Sequence, residues 1–354
     1  MHKAGTLAFS KVLNGMKPPP VSFGSGSPCV FAILKLLSRP IKLVNPVRIS
    51  IVEYLNTAPL VRSFTHGPLR GKYELSFTVP SQCAEALRSR AVDVAIIPAI
   101  EYQRIPDLVI LPNLSIASNK SVRSLLLISK KPIQEVTRIA LDRSSRSTQA
   151  LTRILCEKLW RIKPEFFESA PDLAAMLQQA DAALLIGDPA LRLAIACAPG
   201  DHLDAAGDSV SPASLAGLGG SGSVYIYDIV EKWRAMTNLP AVLAVWAARR
   251  EAVTSQLVRD FQDSLAFGLQ HVDTIASEAA AAMKLPAGDL RRYLLENIDY
   301  HLDQENLQGL TRYYQLAAEL GLIPRVNPIA LAAEPGGAAR SSDFLAAARS
   351  GPQS

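Results

Sequence analysis

Only four cysteines occur in 354 residues, at positions 29, 83, 156 and 197. None belongs to a C-x-x-C pair and none has a histidine at metal-ligand spacing, which argues against a disulfide scaffold and a structural zinc site. They read as reduced thiols, with Cys156 a small core residue on an amphipathic helix. There is no G-x-x-x-x-G-K-[ST] and no G-x-G-x-x-G, so the phosphate loops of nucleotide and dinucleotide binders are excluded. Long apolar runs are also missing. Val30–Leu37 is far too short to span a bilayer, and Lys35 breaks it. Acidic residues are absent from the first 46 positions, which hold six Lys and Arg. The net charge of +5 therefore divides unevenly: +6 on residues 1–46, +1 on 325–354 and −2 on 47–324. The pI near 9 comes from the ends. No basic patch interleaved with aromatics accompanies it, so nucleic acid is not a partner on this reading.

What is present is ordinary globular composition, 49% hydrophobic and 19% charged, over a length that suits two domains. Residues 1–46 combine the run Pro18-Pro19-Pro20, a Gly/Ser run and scattered lysines, and read as a disordered basic extension rather than an export signal. The Ala/Gly/Ser/Pro-rich tail, 325–354, reads as disordered too. Between them strands and helices alternate. Strand patterns fall at Val47–Val52, Tyr73–Val79, Val92–Ile97, Ser124–Ser129, Arg138–Leu141, Ala182–Ile186 and Val242–Ala248. Helices are expected over Ser81–Arg90, after Thr148 with Leu151, Ile154, Leu155 and Leu159 on one face, and through most of the chain from 251 onward. Residues 198–223 read as a flexible surface insertion. The pattern predicts α/β layers around mostly parallel sheet, with ligands outside the carboxyl ends of the strands.

Candidate site residues are therefore the polar ones that follow apolar runs. Ser144-Ser145-Arg146-Ser147-Thr148 stands between a strand and a helix. Helix-start amides, four hydroxyls and a guanidinium suit a carboxylate or phosphate, whereas one serine would suffice as a cap. Asn56, in Tyr54-Leu55-Asn56-Thr57, either fixes a hydroxyl or carboxylate or simply ends the strand in a turn. Asp188, after Gly187, either caps the next helix, which Pro189 favours, or binds a ligand. Trp160, Trp233 and Trp246 read as core. The five histidines stand near no predicted strand end, leaving a serine–histidine–acid mechanism without support.

Taken together, these stretches resemble one family. Tyr54-Leu55-Asn56-Thr57-Ala58-Pro59-Leu60 resembles its Y-L-N-x-x-P-L opening, and Pro98-Ala99-Ile100-Glu101-Tyr102 its P-S-x-E-Y. Ala140 to Arg146 resembles A-L-D-x-S-S-R, and Asp181 to Asp188 reads D-A-A-L-L-I-G-D. Tyr227-Asp228-Ile229, Trp233, Thr237-Asn238-Leu239-Pro240 and Ala244-Val245-Trp246-Ala247 follow in the family's order. The resemblance is to the chorismate dehydratase family of the futalosine route to menaquinone, over about residues 47–322.

The resemblance implies a two-lobed α/β fold like type II periplasmic binding proteins, with a central ligand cleft. Lobe one would be 47–127 plus a helical 245–324, and lobe two 128–244. It implies loss of water from chorismate to give 3-[(1-carboxyvinyl)oxy]benzoate in the cytoplasm, without metal or organic cofactor and without membrane insertion. Asn56 and Ser124 would be catalytic. Tyr54, Thr57, Ser144, Ser145, Arg146, Ser147, Thr148, Gly187 and Asp188 would bind substrate. A sister 1,4-dihydroxy-6-naphthoate synthase and a non-catalytic solute-binding protein share the expected fold. The chain departs from the family pattern at Ala99, at Lys120-Ser121 where Gly-Pro is usual, at Asn238 and at Ala241.

Overall fold

A computed structural model describes residues 46–196, 209–210 and 224–333. The leader, most of the expected 198–223 insertion, Cys29, Cys197 and the end of the tail lie outside the described residues. The chain builds two sheets. The first contains β1 (Arg48–Val52), β2 (Glu74–Thr78), β3 (Val94–Pro98), β4 (Leu108–Ser118) and β11 (Ala241–Arg249), in the order β2-β1-β3-β11-β4. The second contains β5 (Leu125–Ser129), β6 (Arg138–Asp142), β7 (Glu165–Ser169), β8 (Ala182–Ile186), β9 (Ser209–Val210) and β10 (Val224–Asp228), in the order β7-β6-β8-β5-β10-β9. The chain thus changes sheets between Ser118 and Leu125 and returns between Asp228 and Ala241, against crossings expected near Leu127 and Ala244.

The expectation of mostly parallel sheet needs correcting, because both sheets are mixed. β1 runs parallel to β2 and β3, but β11 is antiparallel to β3 and β4. β6 is parallel to β7 and β8, whereas β5 is antiparallel to β8 and β10. The antiparallel strands are those adjoining the two crossings. Four strands escape the sequence pattern: β4, β7, β9 and β10. β4 contains Pro112-Asn113, a pair disfavoured inside a strand. The ladder with β11 shifts register between Ser115 and Ile110, and this bulge absorbs Pro112 and Asn113, the latter at φ 62°.

Helices cover the sheets. They are α1 (Ala58–His66), α2 (Pro80–Arg88), the single turn α3 (Ala99–Tyr102), α4 (Arg146–Leu155), α5 (Leu173–Gln179), α6 (Gly187–Ala196) and α7 (Ile229–Thr237). Then come α8 (Ser255–Gln270), α9 (Val272–Met283), α10 (Ala287–Arg292) and α11 (Gln304–Glu319). Most starts are explained locally. Ser145, Asp172, Asp228, Thr254 and Asp303 cap α4, α5, α7, α8 and α11 with a side-chain oxygen, and Pro80 opens α2 at its first turn. Asn238 closes α7 in the left-handed conformation that glycine or asparagine adopts at a helix end.

Burial follows the period of each element. In β5, Leu125 and Leu127 face the main core, while Leu126 and Ile128 face a second cluster with Met176, Leu185 and Ile226. The second sheet is therefore covered on both faces. The stripe Leu151, Ile154 and Leu155 of α4 is buried, as are Trp233 and Trp246, with Trp246 edge-on to Phe261 at 4.8 Å. Cys83 and Cys156 are buried and unpaired, and burial pushes the Cys156 thiol up to about 12. α1 and α8 approach closely at Gly268, where an added Cβ would stand 1.8 Å from the Pro59 carbonyl oxygen.

The tail is ordered further than expected. Ile110 N–H donates to Ala330 O (2.9 Å), Ala332 N–H to Ile110 O (2.8 Å) and Asn327 N–H to Gln103 Oε1 (2.7 Å). Residues 325–333 thus belong to the folded body beside β4, a correction to the 325–354 disordered segment.

Candidate active site

The carboxyl ends of β1 and β8 meet across the two lobes. β1 ends in a 3₁₀ turn, Leu55–Thr57, which presents the partly exposed Asn56. Leu55 N–H donates to Asp188 Oδ1 at 3.0 Å, so Asp188 is held by the opposite lobe and does not serve as the cap that Pro189 favoured. Burial raises the Asp188 carboxyl above the usual carboxylate range, against the bond from Leu55. Gly187 has φ 65°, and an added Cβ would stand 2.8 Å from the Tyr54 ring. Only glycine allows both that conformation and that approach. The Tyr54 hydroxyl, in turn, lies 3.4 Å from Ser144 Oγ.

Ser124 immediately precedes β5. Its Oγ accepts a hydrogen bond from the Tyr293 hydroxyl at 2.9 Å. Tyr293 is 1% exposed and opens a π-helical turn, Tyr293–Asn297, that follows α10. The Asn56 amide favours ionisation of that phenol, while the Asp188 charge opposes it. Burial raises the Tyr293 phenol well above its ordinary value. Ser124 and Tyr293 thus meet just before β5, and the Asp188 charge acts on both Tyr293 and Tyr54. Thr57 is buried, and its hydroxyl donates to Asn56 Oδ1 at 3.3 Å.

The serine-rich stretch divides its groups. Ser145 caps α4, accepting from Thr148 N–H (3.4 Å), and pairs with the Thr148 hydroxyl (2.8 Å). Ser144 gives its N–H and Oγ–H to Asp142 Oδ1, at 2.9 and 2.6 Å. Ser147 Oγ accepts from Ile100 N–H of the first lobe at 3.2 Å. Arg146 donates to Glu101 Oε2 at 3.0 Å. Glu101 is fully buried in α3, just after β3, and is also bound by Arg88 and Arg104. Desolvation would raise its carboxyl, but the guanidiniums hold it below the usual range. Of the five residues, Ser144 is the one that reaches Tyr54, and Arg146 is turned to the lobe boundary.

Lys120 lines a cavity of about 420 Å³ with Leu294 and His301, and Arg123 gives its N–H to Asp228 Oδ2 at 2.6 Å. The described histidines are occupied elsewhere: His66 with Thr65, His271 with Phe267 O and His301 with Asp299. Among the described residues no three His, Cys, Asp or Glu side chains could share a metal ion. Tyr293 is the functional candidate the sequence did not single out. Nothing local distinguishes it from the core tyrosines on the same run of helices, since its neighbours Ser124 and Asn56 are 169 and 237 positions away.

As an assembly, the ends of two mixed sheets present hydroxyl and amide groups in a buried setting. That arrangement can hold and orient a small polar anion and hand protons along hydrogen bonds; none of these side chains is an activated nucleophile.

Comparison with known proteins agrees with this architecture. Over 79% of its length, and 97% of the other protein's, the chain is 28% identical to the chorismate dehydratase of Thermus thermophilus. Protein AF1704 of Archaeoglobus fulgidus has a similar fold, with a TM-score of 0.59 and 18% identity over 78% of this chain and 98% of that one. So does the alkanesulfonate-binding protein SsuA of Xanthomonas axonopodis pv. citri, crystallised with MOPS, with a TM-score of 0.54 and 15% identity over 79% and 94%. These likenesses identify the two-lobed periplasmic-binding-protein fold. Residues 47–319 match the family described as menaquinone biosynthesis, and the chain belongs to that family.

Proposed function

We propose that this chain is a chorismate dehydratase, a carbon–oxygen lyase that converts chorismate into 3-[(1-carboxyvinyl)oxy]benzoate and water for menaquinone synthesis in the cytoplasm. The observation that carries this reading is alignment along nearly the whole length of a chorismate dehydratase, with the motif residue Ser124 held by a buried tyrosine hydroxyl. The sites assigned below rest on the family motifs and on this geometry.

The chemistry asks little of an enzyme beyond position. Chorismate loses a proton from the ring carbon bearing the enolpyruvyl ether and hydroxide from the next carbon, and the ring becomes aromatic. The gain in aromaticity drives the reaction, so orientation and charge stabilisation supply the catalysis. Asn56 cannot titrate near neutral pH and orients the ring and its leaving hydroxyl. Ser124 donates to that hydroxyl as it departs. The substrate's own enolpyruvyl carboxylate, attached next to the carbon that loses the proton, accepts it. Tyr54, Thr57 and Ser144, with Gly187 and Asp188 opposite, shape the pocket for a dianion. The amides at the start of α4 favour negative charge near Ser144.

Incubation of the purified protein with chorismate should yield the enolpyruvyl benzoate, detected by its aromatic absorbance and mass. Asn56→Ala should reduce kcat by about 100-fold or more, the scale of losing a preorganised polar contact. Full turnover by that variant would sink the assignment. A second reading, a solute-binding protein, is favoured by the structural likeness to sulfonate-binding proteins. Chorismate bound without conversion would select it. The naphthoate synthase reading is weaker, because the described histidines lie away from Asn56 and Ser124.

A further inference from the structure

We propose that Tyr293 is a positioning residue for the dehydration: its buried hydroxyl engages Ser124 and fixes which way the Ser124 proton points. The inference rests on the chorismate dehydratase reading and adds a residue outside every motif that led to it. Tyr293 donates to Ser124 Oγ at 2.9 Å in a fully enclosed setting. A serine hydroxyl rotates freely unless its oxygen is engaged. Once Ser124 Oγ accepts from Tyr293, the serine proton must be given onward, away from the phenol. The donors then run in one direction, from phenol to serine and from serine to substrate. Successive donors of this kind polarise one another, so the last proton is a stronger donor than an isolated serine's.

The location agrees with such a role. Tyr293 begins a π-helical turn inserted after α10, a local irregularity that frequently marks functional positions. The ring belongs to the lobe that carries Asn56, while Ser124 ends the segment crossing to the second sheet. The phenol therefore ties the helices that follow β11 to the passage between the sheets. Its high pKa keeps it a neutral donor rather than a base at neutral pH.

Tyr293→Phe keeps the ring and removes only the hydroxyl. Its kcat should fall about tenfold or more while KM moves less than about twofold, short of the 100- to 1,000-fold expected on losing a donor that touches the reacting atoms. In a Ser124→Ala background the same change should have no further effect on kcat, because there is no proton left to direct. A merely structural tyrosine would give additive losses, and additivity overturns the inference. If Tyr293→Phe does not fold, 3-fluorotyrosine at 293 retains ring and hydroxyl, strengthens the donor, and should raise kcat by about twofold; an unchanged kcat overturns the proposal. A native chain that leaves chorismate unconverted overturns the parent reading and this inference with it. Native turnover retained in Tyr293→Phe overturns the inference alone.

Discussion

Gly187 shows how a single residue can shape the site without touching a substrate. Its φ of 65° turns the chain from β8 into α6, and the missing side chain is the space where the Tyr54 ring lies. Gly187→Ala should cost about 1–3 kcal/mol in stability through backbone strain. It should also push the Tyr54 ring from its place and raise KM for chorismate. Thermal unfolding and steady-state kinetics of one variant measure both effects; an unshifted midpoint with unchanged KM would count against the packing described. Asp142 belongs to the same scale. Its Oδ1 holds Ser144 twice, and its buried setting raises its pKa. Ser144 is thus oriented toward Tyr54 by a residue behind it.

At the scale of elements, Asp228 ties the end of β10 to two others. Its Oδ1 caps α7 through Val230 and Glu231, and its Oδ2 takes the N–H of Arg123, which stands at φ 60° before β5. The bond holds a left-handed arginine in the segment where the chain passes between sheets. Burial pushes the Asp228 carboxyl up to about 6, against an ordinary value of 3.8. Between these values the folded state holds a proton that the unfolded state has released. Its contribution to stability is therefore full below about pH 4 and is lost as pH rises toward 6, amounting to about 3 kcal/mol. Asp228→Asn should remove that slope. Denaturant unfolding of both proteins at pH 4, 5 and 6 checks it; parallel pH profiles would contradict the assignment.

For the whole molecule, the main question is how the lobes are held together. Ser81 N–H donates to Ser144 O at 3.0 Å, Tyr313 OH to Ser147 O at 3.1 Å, and Ile100 N–H to Ser147 Oγ. Arg146 adds its ion pair with Glu101. Residues that resemble an anion-binding loop thus spend several groups on lobe contact, and closure and binding share one stretch of chain. Arg146→Ala leaves Glu101 with Arg88 and Arg104, so stability should fall by less than about 1 kcal/mol, as for a partly exposed pair. KM should nevertheless rise severalfold, because the closed arrangement becomes less populated. Parallel unfolding and kinetic measurements separate the two; a KM equal to that of the native chain would show that the pair does not hold the lobes.

Much of this was legible in the sequence. The strands beside Ser124 and Gly187 are apolar runs, as strands covered on both faces must be, and β1 and β6 bring Asn56 and Asp142 to the ends of largely apolar segments. The polar residues at their ends therefore stand out, and the motifs they form carry the family. Capping by Ser145 was readable for the same local reason. The sequence could not show that Arg146 would turn to Glu101, that Asp188 would take an amide of the opposite lobe, or that Pro112-Asn113 would sit inside a strand. Nor could it show Tyr293 beside Ser124. Each depends on groups brought together across tens or hundreds of residues, where no periodicity or spacing records the contact. Chain-local chemistry determined the elements, the caps and the candidate strand ends; the packing of two mixed sheets against each other decided which of those polar groups meet and which proton each one holds.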